Sequence, residues 1–293
     1  MHTSVLKQVF RRNFRPMASV AMYEGPEFSM EDCKNHLSQF CGGSFDLQID
    51  DSCGIATLVI NHLAKKNAIT GSMMVQFEEV VCTLEKWING KGLLLYGAEG
   101  NFCSGGDLNF AQKTSSPEGG YKMATFMQNV LSRLQKIPLI SVAFIDGYAL
   151  GGGAELAISC DFRLFSKNAS LGFVHAKMGI MPAWGGMTMA IQTLGYKTAL
   201  DLVSTARLVR TPEAQNIGLC DAVVDSAEEA KAWLSERVKW DVSATRAIKA
   251  VAANVRNSHL TEEHIWDYEK KVFSPLWGGP ANQQALQSKV KHK

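Results

Sequence analysis

Gly151-Gly152-Gly153-Ala154-Glu155, entered through Ile145-Asp146-Gly147-Tyr148-Ala149-Leu150, decides how this chain is read. An apolar, strand-like segment from Leu139 to Ile145 runs into three successive glycines, and a helix-compatible segment from Ala154 to Cys160 leaves them. Glycine lets a backbone approach a ligand closely, and a helix start leaves amide N–H groups without partners. Such a junction is either a tight turn or a cradle for an oxygen that gains negative charge. Glu155 falls in the first helical turn, beside that cradle.

A second run, Asn101-Phe102-Cys103-Ser104-Gly105-Gly106-Asp107-Leu108, follows a second apolar strand, Gly92-Leu93-Leu94-Leu95-Tyr96. Were the amides of Gly106 and Gly152 to meet at one oxygen, they would stabilise an enolate or a tetrahedral oxyanion. One such donor is typically worth ~3–4 kcal/mol of barrier. Asp107 is placed to orient its own glycine loop.

The same rhythm extends outward. Phe45 to Ile49 and Ile55 to Ile60 form an expected hairpin. From Ser72 a helix is expected, with Met73, Met74, Phe77, Val80, Val81, Leu84, Trp87 and Ile88 on one face and Asn89-Gly90 closing it. Further helices are expected over Met123 to Leu134 and Met30 to Phe40. Strands are expected at Phe162 to Phe165 and Ala222 to Val224, with a short apolar piece at Leu171 to Val174. The fold class is therefore α/β. Three parts follow: a partly disordered N-terminal extension over 1–43, a core over 44–225, and a helical region over 226–293. In the last, helices are expected at Ala230 to Lys239, Val242 to Val255 and Thr261 to Phe273.

Composition removes whole classes of function. A net charge of +2 gives no electrostatic case for nucleic acid. No apolar run approaches the ~18 residues that span a bilayer. The seven cysteines contain no Cys-x-x-Cys pair, which reads as reduced thiols in an intracellular protein. The seven histidines show no metal-binding spacing, so no metal is expected. Ser104 lacks a nucleophile-elbow context, and the triple glycine is not a dinucleotide fingerprint. The first 22 residues carry Lys7, Arg11, Arg12 and Arg15 and no acid, which fits a mitochondrial presequence as well as a basic tail.

Both glycine segments, Phe102 to Leu108 and Gly147 to Glu155, resemble the signatures of the crotonase (enoyl-CoA hydratase/isomerase) superfamily, and Ala64-Lys65-Lys66-Asn67-Ala68 resembles its early coenzyme A segment. The resemblance implies a spiral of ββα units with a C-terminal helical trimerisation region, and hence a homotrimer or hexamer. It implies an acyl-CoA thioester held by the amides of Gly106 and Gly152, with Ala64, Lys65, Lys66, Ala68 and Ser104 along the coenzyme A. Coenzyme A is then part of the substrate, and no separate cofactor is implied. Lys65 and Lys66 also read as a solvated surface pair, and Trp184 as either an acyl-pocket wall or a core residue.

One position departs from the hydratases. They use two glutamates, of which one matches Glu155, whereas the second position holds His175. Adding water across a double bond needs a paired acid and base. Phe173 to Ile180, Pro182 to Gly186, Phe126 to Asn129, Leu139 to Ala143 and Trp277 to Asn282 resemble instead a branch of the superfamily that removes CO2 from 2-alkylmalonyl-CoA thioesters. That branch implies a cytosolic, metabolite-repair role. Glu155 or His175 would then set the protonation and carboxylate geometry. The alternatives are a hydratase or isomerase working with Glu155 alone, or a non-catalytic RNA-binding or scaffold relative.

Overall fold

The computed structural model describes residues 20–257 and 261–288. The presequence-like stretch with Lys7, Arg11, Arg12 and Arg15 lies outside the described residues. Helix α1 (Met30–Leu37) starts at a reciprocal cap: the Ser29 hydroxyl accepts from Asp32 N–H, and the Asp32 carboxylate accepts from Ser29 N–H. It buries Cys33 and Leu37 in the main core, although it lies within the expected extension.

Strands β1 (Ser44–Asp50) and β2 (Ile55–Asn61) pair antiparallel as the expected hairpin. Helix α2 (Gly71–Lys86) buries Met73, Met74, Phe77, Val80, Val81 and Leu84. Full burial of a side chain such as Phe77 contributes roughly 1.5–3 kcal/mol. The helix ends before Ile88, which is exposed and not part of the expected apolar face. Trp87 is the reason: it turns extended, and its indole N–H donates to Asp51 at 2.7 Å.

The chain continues through β3 (Gly92–Gly97), α3 (Leu108–Lys113), α4 (Pro117–Lys136), β4 (Ile140–Ile145) and β5 (Tyr148–Leu150). Then come α5 (Gly152–Ser159), β6 (Phe162–Phe165), β7 (Ser170–Gly172), α6 (Gly186–Leu194), α7 (Tyr196–Thr205), β8 (Val209–Arg210), α8 (Thr211–Asn216) and β9 (Ala222–Val223). The large sheet runs β1-β2-β3-β4-β6-β9 and is parallel beyond its first hairpin. A small sheet runs β5-β7-β8. Isolated bridges, Cys103 with Ala149 and Ile69 with Gly106, extend that small layer back through the chain. Successive turns thus give one strand to the large sheet and a shorter extended run to the small one. This is the expected ββα spiral, and the sequence reading missed β5 as a strand because three residues carry little periodic signal.

Helix α9 (Ala227–Arg237) covers the outer face of the large sheet, where Ala230 and Leu234 pack with Ile55, Leu94, Val142 and Leu164. Helix α10 (Val242–Asn257) is anchored by buried Lys249, which donates to Asp161 and to the Gln135 carbonyl. Helices α11 (Glu262–Phe273) and α12 (Pro280–Gln287) bury no residue and expose Trp266, Phe273 and Leu286, with Trp277 exposed between them. Among the described residues, no helix is long and apolar enough to cross a membrane.

Candidate active site

The two glycine runs are held together by the small sheet layer. Phe102 N–H donates to the Asp146 carbonyl, Cys103 N–H to Tyr148, and Leu150 N–H back to Cys103, at 2.8, 2.9 and 2.9 Å. On the other edge, Ile69 N–H donates to Gly105 and Asp107 N–H to Ile69, both at 2.8 Å. Gly105 and Gly106 are therefore fixed from both sides. Among the described residues the Gly106 N–H has no protein partner. Gly152 opens α5, so no preceding helical carbonyl takes its N–H. A β-carbon built on Gly105 would sit 3.7 Å from Gly152 N, which shows how near the two runs lie.

Each glycine of the triple run has its own reason. Gly151 has φ +52, in the region that favours glycine. A β-carbon on Gly152 would stand 2.5 Å from the Trp184 ring, and one on Gly153 2.4 Å from the Cys103 carbonyl oxygen. Gly106 has nothing within 4 Å of that position. Asp107 caps α3 by accepting from Phe110 N–H at 2.9 Å, so its side chain serves the helix start in place of the expected loop-orienting role. Burial pushes the Cys103 thiol up to about 12, so it packs as a neutral group rather than a nucleophile.

Glu155 and His175 are brought together from 20 residues apart. Glu155 is 1% exposed and His175 8%. Glu155 Oε1 accepts from Trp184 N–H at 2.8 Å and from Gly186 N–H at 2.9 Å. Its Oε2 lies 3.0 Å from His175 Nε2. His175 Nδ1 has no partner among the described residues. These two loop amides escaped the sequence reading, because a backbone donor leaves no residue-type signature. A signal existed in Gly185-Gly186: the first has φ +96, and a β-carbon on the second would stand 2.5 Å from Glu155 Cγ. The loop is tied to α4 by Gln128, whose side-chain amide donates to the Ala183 carbonyl at 2.8 Å.

The early segment joins the same frame. Ser104 N–H donates to the Lys66 carbonyl at 3.0 Å, and Ser104 Oγ to the Lys65 carbonyl at 2.9 Å. Ala64, Lys65 and Lys66 are exposed and Ala68 is buried. Lys65 lines a cavity of about 200 Å³ together with His62, Asp107, Phe110 and Lys113. Buried Asn67 is the unforeseen organiser, at φ +60. Its Oδ1 accepts from His62 N–H, and its Nδ2 donates to the Ala98 and Asn101 carbonyls. Trp184 is buried, with its ring against Gly152, so it backs the start of α5. Among the described residues no cluster of three metal-ligating side chains exists.

The enoyl-CoA hydratase/isomerase family model matches residues 50–288. The chain is 45% identical over 271 residues to ethylmalonyl-CoA decarboxylase of Xenopus laevis, covering 91% of this chain and 90% of that protein. It is 41% identical over 270 residues to the Homo sapiens protein of the same name, covering 90% and 87%. Among solved structures it is similar to an enoyl-CoA hydratase from Thermoplasma volcanium GSS1, with TM-score 0.75, 25% identity, and coverage of 84% of this chain and 97% of that one. An enoyl-CoA hydratase from Bacillus anthracis has the same fold, with TM-score 0.76, 23% identity and coverage of 86% and 98%. The paired glycine runs, the spiral and these likenesses agree: the chain belongs to the enoyl-CoA hydratase/isomerase family, the crotonase superfamily.

Proposed function

We propose that this chain decarboxylates 2-alkylmalonyl-CoA thioesters, ethylmalonyl-CoA and also methylmalonyl-CoA, in a metabolite-repair role. The observation that carries the reading is His175 facing Glu155, where a hydratase would pair two carboxylates, in a chain 45% identical to an ethylmalonyl-CoA decarboxylase over 91% of its length. In such a substrate the carboxylate is β to the thioester carbonyl. When the C–C bond breaks, its electron pair moves into the thioester as an enolate and CO2 leaves. The enolate then takes one proton at C2, giving the acyl-CoA.

The thioester carbonyl is itself the electron sink, so the proposed reaction uses no further cofactor. Charge gathers on the thioester oxygen, where the amides of Gly106 and Gly152 would bind it more strongly than in the ground state. Ser104, Ala64, Lys65, Lys66 and Ala68 would line the coenzyme A path. A cytosolic location and a homotrimer or hexamer belong to the same proposal, and fractionation and light scattering test them.

The decisive test offers the purified protein ethylmalonyl-CoA, methylmalonyl-CoA and crotonyl-CoA, with CO2 release and hydration followed separately. CO2 release from the malonyl substrates without hydration of crotonyl-CoA is expected. Fast hydration with no CO2 would overturn the assignment.

A further inference from the structure

Glu155 is the acidic group in the heart of the site, and its surroundings define what it can do. A carboxylate oxygen offers two lone pairs to hydrogen-bond donors. Both on Oε1 are met by fixed backbone N–H groups, those of Trp184 and Gly186. A proton on Oε1 would point at two donors. Only Oε2 could carry one, and that atom lies 3.0 Å from His175 Nε2. Three of the roughly four lone-pair directions of the carboxylate are therefore taken up by groups of the protein.

The histidine completes the case. With a carboxylate at Oε2, the N–H belongs on Nε2. Nδ1, in a residue 8% exposed, has no acceptor among the described residues. A buried N–H without an acceptor is costly, so the lone-pair form of Nδ1 is favoured. The tautomer with its proton toward Glu155 is thus favoured.

We infer that Glu155 is a positioning residue: a fixed acceptor that sets the Trp184 loop and the His175 tautomer, and not the acid that protonates C2. Its reach extends to the glycine cradle through one further contact. The loop amide it holds belongs to Trp184, whose ring packs where a Gly152 side chain would stand. The clause about C2 rests on the decarboxylase reading; the tautomer and loop clauses stand without it.

The test uses the full chain and compares Glu155→Gln with Glu155→Leu. Glutamine keeps an oxygen for the two loop amides and replaces the Oε2 acceptor with an N–H donor. Leucine keeps neither. In 15N-histidine NMR, with the His175 signal assigned from His175→Gln, the wild type is expected to show a protonated Nε2 and a bare Nδ1. Glu155→Gln is expected to move the proton to Nδ1, a change that a merely structural role would not produce. The Trp184 and Gly186 amides should exchange slowly in wild type and Glu155→Gln, and fast in Glu155→Leu. Turnover of ethylmalonyl-CoA should stay within about tenfold of wild type for glutamine and fall at least about 100-fold for leucine.

Glutamine and leucine variants equally inactive, with the loop amides of the glutamine variant still protected, would show that the Glu155 proton is itself used and would overturn the inference. So would a wild-type His175 carrying its proton on Nδ1. Failure of the wild type to release CO2 would instead sink the decarboxylase reading, and the NMR and exchange arms would still judge the positioning role.

Discussion

The two glycine runs proposed to share one oxygen sit in opposite structural situations. Around Gly106 the chain is pinned at its edges, by Ile69 on one side and the Asp146–Leu150 segment on the other, while the glycine itself is open. Around Gly152 the space is filled by the Trp184 ring, and that ring's own amide is held by Glu155. The first amide is placed by hydrogen-bond register and the second by packing. The open side of Gly106 leaves room for a methyl group, whereas the Trp184 ring leaves none at Gly152.

The largest break in this comparison is Gly152→Ala. Its β-carbon meets the Trp184 ring at 2.5 Å, so the amide or the ring must move. Loss of one oxyanion donor costs about 100-fold or more in kcat, and steady-state decarboxylation measures it. The double variant with Trp184→Ala should be strongly non-additive, because the two residues share the contact.

Asn67→Ala strikes the register side at its source. It removes the partner of His62 N–H and of two loop carbonyls, and Asn67 is fully buried. A loss of about 2–3 kcal/mol in stability is expected from denaturant melts. The smallest effect belongs to Gly106→Ala, which meets nothing within 4 Å. Its melting temperature should stay within about 2 °C of wild type. A large drop there would show that the open side of the comparison is also packed.

Much of this was legible beforehand because it is written in periodicity and residue type. Met73, Met74, Phe77 and Leu84 mark a helix face, and Leu93 to Leu95 a buried strand, without any partner being known. Glu155 and His175 could be picked out as the decisive pair from their positions in the family signature. Their contact, and the loop that holds one of them, could not. Asn67 stood out only as part of the early coenzyme A segment, and its bracing role did not, since an asparagine at a left-handed position looks like any turn residue.

By itself, then, the sequence determined the α/β rhythm, the two glycine runs and the substitution of histidine for a second acid. These are local properties, carried by side-chain period and by the conformational freedom of glycine. The tertiary structure decided which amides reach which atoms: that Glu155 answers to Trp184 and Gly186, that Gly152 lies under an indole, and that Gly106 lies open. Every residue but proline carries the same N–H, so no pattern of residue types records where it points. Only packing does.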